Sequence, residues 1–245
     1  MSEDRFDFDS EFDEIDDQLD LTLYADSAEL ASEVIAQILQ VIEEGLSERN
    51  RFDLALTGGT LGLDISSRLV EVLNQNASDF KGLNIWWSDE RFVDAESDER
   101  NAIAIHNKLL NKNVVVHEVL ASGNASAEEA LSDYEKKLSQ VKLDLVILGL
   151  GPDGHVASIF PGRADLDNLN KVFLIEDSPK PPAVRISFTM ATINSADKVW
   201  IVATGEAKAD AVTKIIEADL SIPASYVRGS HHTRLIVDTE AFFAE

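Results

Sequence analysis

The run LDLVILGLGPDGHVASIFPG, Leu143 to Gly162, constrains the chain more than any other stretch of its sequence. Leu145 to Leu148 is continuously apolar, which fits a strand buried on both faces of a parallel sheet. Gly149, Gly151 and Gly154 then remove side chains where the backbone must turn sharply and present its N–H groups. Pro152 stiffens that turn, and Asp153 places a carboxylate two residues from the imidazole of His155. Histidine can take and return a proton near neutral pH, so a strand end carrying this loop has the layout of an active site.

The same glycines satisfy G-x-G-x-x-G, a dinucleotide fingerprint that is weak on its own. The fingerprint requires a helix of several turns starting in the loop with its N-terminus on a pyrophosphate. Pro161 and Gly162 interrupt such a helix soon after His155, and Asp153 would put negative charge inside the anion cradle. A nucleotide site is therefore disfavoured.

Upstream, Leu21–Tyr24 reads as a first strand, followed by an amphipathic helix with Leu30, Val34, Ile35, Ile38, Leu39 and Ile42 on one stripe. Phe52–Thr57 is the next strand, then the turn Gly58-Gly59-Thr60 and a helix to about Asn74. Leu83–Trp87 is a third strand ending in Ser88-Asp89-Glu90-Arg91. A helix is expected over Asn101–Leu110 and a short strand over Val114–Leu120. Ser126 with Glu129 forms a capping box that opens a helix through Leu138. Val184–Phe188, Lys198–Ala203 and Arg234–Val237 complete the strands, with a helix from Gly205 to about Ala218. Strands alternating with helices indicate an α/β fold, a mainly parallel sheet with helices on both faces. Its ligand should lie beyond the carboxyl ends of the strands.

Residues 1–20 hold ten acids and one arginine and are expected to form an acidic, disordered tail, with residues 21–245 a single α/β catalytic domain. The formal net charge of −24 argues against nucleic acid or an anionic membrane as partner. The absence of cysteine excludes a disulfide framework, and with no spanning segment or basic leader the protein is expected to be cytoplasmic, as a monomer or weak homo-oligomer. A chain this acidic that binds a small anion must gather its few cations in one place.

Three further strand ends should open on the same edge as His155. Thr57-Gly58-Gly59-Thr60 exposes backbone N–H groups and two hydroxyls ahead of a helix, which suits a phosphate monoester, although a plain tight turn has the same composition. No Gly-Lys-Ser/Thr follows, so it is not a Walker A loop. The apolar stripe Ala211, Val212, Ile215, Ile216, extended back one turn, lands on Lys208. A lysine there conflicts with the helix dipole, and either a bound anion or a snorkelling side chain would resolve the conflict. Asp89, Glu90 and Arg91 form either a surface ion-pair cluster or a site in which Arg91 grips an anion or steadies an oxyanion. Arg185 alternates away from the Val184, Ile186, Phe188 face and is a further cation candidate. His106, His117, His231 and His232 lack metal-ligand spacing, so no metal is expected.

Taken together, Leu56–Gly62, Trp86–Val93, the Gly149–His155 loop continuing to Gly162, Asp177–Thr189 and Gly205–Ala209 resemble the 6-phosphogluconolactonase family of the oxidative pentose phosphate pathway, in that family's order. The resemblance implies the modified Rossmann-like fold shared with glucosamine-6-phosphate deaminase and ribose-5-phosphate isomerase. It also implies hydrolysis of a small phosphosugar lactone, 6-phospho-D-glucono-1,5-lactone, without metal or cofactor. Carried over by residue, it makes His155 the base, with Asp153 orienting it or shaping the loop. Arg91, Asp89, Gly151 and Gly154 belong to the pocket, and Thr57, Gly58, Gly59, Thr60, Arg185 and Lys208 surround the phosphate. Glu99-Arg100 precedes Asn101 where the family commonly has serine, which leaves Arg100 as an extra cation near the pocket or a surface residue. Two rival readings are a deaminase or isomerase, disfavoured because Arg91 and Ile159-Phe160-Pro161-Gly162 replace the deaminase patterns, and a non-enzymatic sugar-phosphate sensor.

Overall fold

The computed structural model describes residues 19–75, 80–162 and 164–243. The acidic stretch therefore lies almost wholly outside the described residues. In chain order the first elements are strand β1 (Leu19–Tyr24), helix α1 (Ser27–Arg49), β2 (Phe52–Leu56), α2 (Gly59–Gln75) and β3 (Leu83–Trp87). The chain goes on through β4 (Asp89–Arg91), β5 (Val115–Val116), α3 (Ala127–Leu138) and β6 (Leu145–Gly149). It ends with β7 (Val172–Ile175), β8 (Arg185–Phe188), α4 (Met190–Asn194), β9 (Lys198–Ala203), α5 (Ala209–Ile216), β10 (His232–Asp238) and α6 (Thr239–Phe242).

Side-chain caps fix where the helices begin. Asp26 accepts from the N–H groups of Ala28 and Glu29, both at 2.9 Å, and opens α1. Ser126 and Glu129 close the expected capping box ahead of α3.

Seven strands form one sheet in the order β1-β10-β9-β6-β2-β3-β5, every neighbouring pair parallel. Residues of β6 alternate between its two faces. Leu145 and Ile147 join the apolar cluster made with α1 and α2, whereas Val146 and Leu148 join the cluster made with α3 and α5. A continuous apolar strand is what burial on both faces requires. Strand order reverses between β2 and β6, so the loops after these two strands diverge and leave a crevice at the carboxyl edge.

The expected strand Val184–Phe188 forms as β8, but not in this sheet. It is the centre of a three-stranded antiparallel sheet, β4-β8-β7, and the short apolar run of β7 was not anticipated. Beyond β3 the chain crosses over at Ser88, whose carbonyl accepts from Phe188 N at 2.7 Å, and β4 then pairs with β8. This switch swings Asp89 and Arg91 over the carboxyl edge of the large sheet.

The helix expected over Asn101–Leu110 does not form as such. Only Asn101–Ala104 makes a tight 3-10 turn, and irregular turns follow. The buried Glu90 carboxylate accepts from the N–H groups of Asn101 (2.7 Å) and Ala102 (2.9 Å), anchoring the start. Asn107, at φ 57°, leaves the right-handed helical region and ends the track.

Candidate active site

The carboxyl ends of β2, β6 and β9, with β4 and the turn before α5, surround a cavity of about 340 Å³. Its walls include Thr57–Gly62 from the loop and first turn of α2, Gly149–Pro152 and His155 from the loop after β6, and Lys208 from the turn before α5. Asp89, Arg91, Asn101, Lys180 and Arg185 come from the side of the small sheet. Of the residues expected at the site, only Asp153 and Gly154 lie behind the lining, and Asp153 is in contact with His155.

The glycine-rich loop is built around the imidazole. His155 Nδ1 lies 2.5 Å from Asp153 Oδ1, and His155 Nε2 makes no hydrogen bond among the described residues. A charged acceptor so close keeps the ring proton on Nδ1, which donates to it, and leaves the lone pair on Nε2. A Cβ at position 151 would stand 1.9 Å from Nδ1, so the close pair of ring and carboxylate requires glycine there. No helix starts in this loop. Residues 150–160 are turns closed by an isolated bridge between Val156 and Ile159, which removes the helical N-terminus a dinucleotide site needs.

Burial pushes the His155 pKa below its ordinary 6.5, and nearby Lys180 adds to that, while Asp153 and Asp89 oppose it. Burial acts upward on Asp153, but its bonds to His155 and Lys180 prevail and hold its carboxyl down at about 2. The result is a neutral imidazole beside an ionised carboxylate at neutral pH.

Arg91 lies in the wall, its Nη1 donating to Glu99 O at 3.0 Å, while its Nε is buried without a partner among the described residues. The Lys208 ammonium makes no hydrogen bond or ion pair among the described residues, and burial first, then Lys180, pushes its pKa below the ordinary value. On the opposite wall, α2 begins at Gly59 with no acidic residue in its first turn, so its leading N–H groups offer positive potential. Thr57 Oγ1 accepts from Gly149 N at 3.2 Å, tying the loops after β2 and β6 together across the crevice. Gly58 is required by close approach, since a Cβ there would stand 1.9 Å from Asn101 Oδ1.

Two expected cations are placed differently from each other and from expectation. Arg185 borders the cavity but is buried, and most of its donors are taken: Nε by Pro182 O at 3.0 Å, Nη2 by Lys180 O at 3.0 Å and Pro181 O at 3.1 Å. Arg100 is neither a pocket cation nor a surface residue. It is 1% exposed, with Nη2 bonded to Val119 O at 2.8 Å and Glu118 at 3.3 Å and Nε 3.8 Å from Glu90. Asp89 is similarly occupied, accepting from Ser158 at 2.6 Å and Asn101 at 3.2 Å.

The sequence reading missed Lys180, whose ammonium is 3.1 Å from Asp153 and 3.2 Å from His155. Its one local signal is a lysine ahead of two prolines in the segment leading to β8. Asn101, which walls the cavity beside Gly58, was also missed because it looked like a helix start.

Among the described residues no helix is long and apolar enough to cross a membrane, and no group of three or more His, Cys, Asp or Glu side chains could hold a metal ion.

A sequence model of the family described as glucosamine-6-phosphate isomerases/6-phosphogluconolactonase matches residues 25–237. A probable 6-phosphogluconolactonase 1 of Arabidopsis thaliana is 33% identical over 88% of this chain and 89% of its own length. A 6-phosphogluconolactonase of Streptomyces coelicolor is 30% identical over 90% of this chain and 92% of its own. The crystal structure of 6-phosphogluconolactonase from Thermotoga maritima superposes with a TM-score of 0.78 at 29% identity, covering 91% of this chain and all of that one. With the fold, the loop order and the similarity along most of its length in agreement, this chain belongs to the glucosamine-6-phosphate isomerase/6-phosphogluconolactonase family.

Proposed function

We propose that the protein is a 6-phosphogluconolactonase, hydrolysing 6-phospho-D-glucono-1,5-lactone to 6-phosphogluconate. The observation that carries this reading is the neutral imidazole of His155, held on Asp153 through Nδ1 and free at Nε2, in the wall of a cavity that also gathers Arg91 and Lys208. The naming of relatives that this chain matches along most of its length supports the same substrate.

In this reading the phosphate lies against the first turn of α2 and Lys208, which turns the lactone toward the loop after β6. His155 Nε2 removes a proton from water as the water oxygen attacks the lactone carbonyl. The resulting oxyanion is stabilised by Arg91 and backbone N–H groups of the glycine loop. Collapse of the tetrahedral intermediate breaks the bond to the ring oxygen, which takes the proton from the imidazolium and restores the neutral base. Every step uses groups of this chain and requires no metal.

Arg91 also separates this reading from deamination, since the residue that departs from the deaminase pattern places a guanidinium in the pocket wall. The test is hydrolysis of freshly generated phosphogluconolactone, measured above its spontaneous rate, beside ammonia release from glucosamine 6-phosphate. Wild-type turnover by His155→Ala would falsify the role of the histidine, and ammonia release alone would replace the reaction.

A further inference from the structure

Lys180 stands on a fixed platform although its side chain is 40% exposed. Its carbonyl accepts from Arg185 Nη2 at 3.0 Å and from Ser178 Oγ at 2.8 Å. Arg185 also holds the next two carbonyls, so the stem of Lys180 leaves the chain at a determined place. From there its ammonium reaches Asp153 Oδ1 at 3.1 Å and the edge of His155 at Nδ1, 3.2 Å away.

Asp153 Oδ1 is thus shared by two donors. The proton on Nδ1 is committed to the carboxylate, so Lys180 cannot donate to that nitrogen and instead lies beside an N–H that already carries positive potential. A carboxylate alone on Nδ1 would favour the imidazolium, whereas an adjacent ammonium disfavours it. We propose that Lys180 is a positioning residue of the hydrolysis, dividing Asp153 with His155 so that the carboxylate fixes the ring's tautomer without trapping the ring as a cation.

The inference rests on the lactonase reading for its consequence. When His155 takes the proton of the attacking water, its positive charge forms beside Lys180, which favours passing that proton to the departing ring oxygen. The other charged groups that face this cluster are Asp89 of β4, which favours the cation on His155, and Lys208 before α5, which acts on Lys180. Phe160 packs 4.7 Å from the imidazole and adds apolar surface without charge.

The test combines Lys180→Met and Lys180→Arg, with the His155 ring followed by nitrogen-15 NMR in the free protein and kcat/KM measured against pH. Lys180→Met is expected to raise the His155 pKa by roughly half a unit to one unit, given a like charge at hydrogen-bond range that is partly screened by solvent. The acid limb of kcat/KM should move up in parallel, and Lys180→Arg should return both to wild type. An unchanged His155 titration in Lys180→Met overturns the proposal. So does a uniform fall in kcat/KM at every pH with that titration unmoved, which would make Lys180 a substrate contact only. The NMR titration needs no turnover, so failure of the lactonase reading would show separately, in the His155→Ala assay.

Discussion

Ser158 donates its hydroxyl to Asp89 Oδ2 at 2.6 Å, and this bond ties the loop that carries His155 to the strand that carries Arg91. Both residues are buried, so the carboxylate cannot turn to water for a replacement donor. Ser158→Ala would leave Asp89 Oδ2 with Arg185 Nη1 at 3.9 Å as its charged neighbour. We expect stability to fall by about 1–3 kcal/mol, the usual cost of an orphaned buried acceptor. Urea unfolding checks this, and kcat should fall as the two halves of the site lose their common anchor. Unchanged unfolding and kcat together would show that the two loops are held independently.

Arg100 is expected to matter through the fold rather than through substrate. It is buried between Glu90 and Glu118, and burial pushes the Glu90 carboxyl up to about 7 against the opposing effects of Arg100 and three backbone N–H groups. Arg100→Met should destabilise the protein by about 3–5 kcal/mol, because it leaves a buried charge without its partner. Since the folded pKa of Glu90 lies above its ordinary 4.5, this carboxyl reduces stability as pH rises from 4.5 through about 7. Loss of Arg100 raises that pKa further, so denaturant unfolding should show a larger deficit at pH 8 than at pH 6. An equal deficit at both would separate Arg100 from the ionisation of Glu90.

The pH profile follows from the histidine. Burial, then Lys180, holds the His155 pKa below 6.5, so kcat/KM should rise with pH along an acid limb whose midpoint lies below that value. Asp153→Asn should lower kcat by about 10²-fold or more, since an amide can donate to Nδ1 and place the ring proton on the wrong nitrogen. The folded pKa of Asp153, about 2, lies below its ordinary 3.8, so its stabilising contribution is present above pH 3.8 and is lost as pH falls toward 2. Stopped-flow profiles of wild type and variant, beside acid unfolding of both, measure each of these.

Lys208 and Arg185 should separate by phenotype. Lys208→Met is expected to reduce kcat/KM for the phosphorylated lactone by about 10- to 100-fold, a hydrogen bond to a charged group being worth about 1.5–3 kcal/mol. Hydrolysis of unphosphorylated gluconolactone should change little. Arg185→Met should harm both substrates, because it releases the carbonyls of Lys180, Pro181 and Pro182. Equal losses on both lactones for Lys208→Met would remove Lys208 from the phosphate site.

Much of the parallel sheet was legible because its signals are local. The continuous apolar run of β6, the capping box at Ser126 and the glycines at 58 and 151 each announce themselves within a few residues. The Asn101–Leu110 segment misled because its composition suits a helix, while its actual course is set by Glu90, eleven residues before Asn101, and by the left-handed Asn107. The strand β8 was found, but the sheet it joins was not, since a period of two gives no information about partners.

The site divides along the same line. Sequence alone determined that His155, Asp153 and the first turn of α2 belong to one edge, because strand direction in a parallel sheet puts those loops together. Tertiary structure decided which cations are free to act. Arg100 and Arg185 look in sequence like Lys208, yet folding commits Arg100 Nη2 to Val119 O and Glu118 and ties Arg185 to the carbonyls of Lys180, Pro181 and Pro182, while the Lys208 ammonium is left open. Lys180 reaches Asp153 across 27 positions of chain, a proximity that no spacing rule contains. The physical reason is that a charged group's role depends on whether its hydrogen bonds are already satisfied, and those partners are chosen by the packed fold.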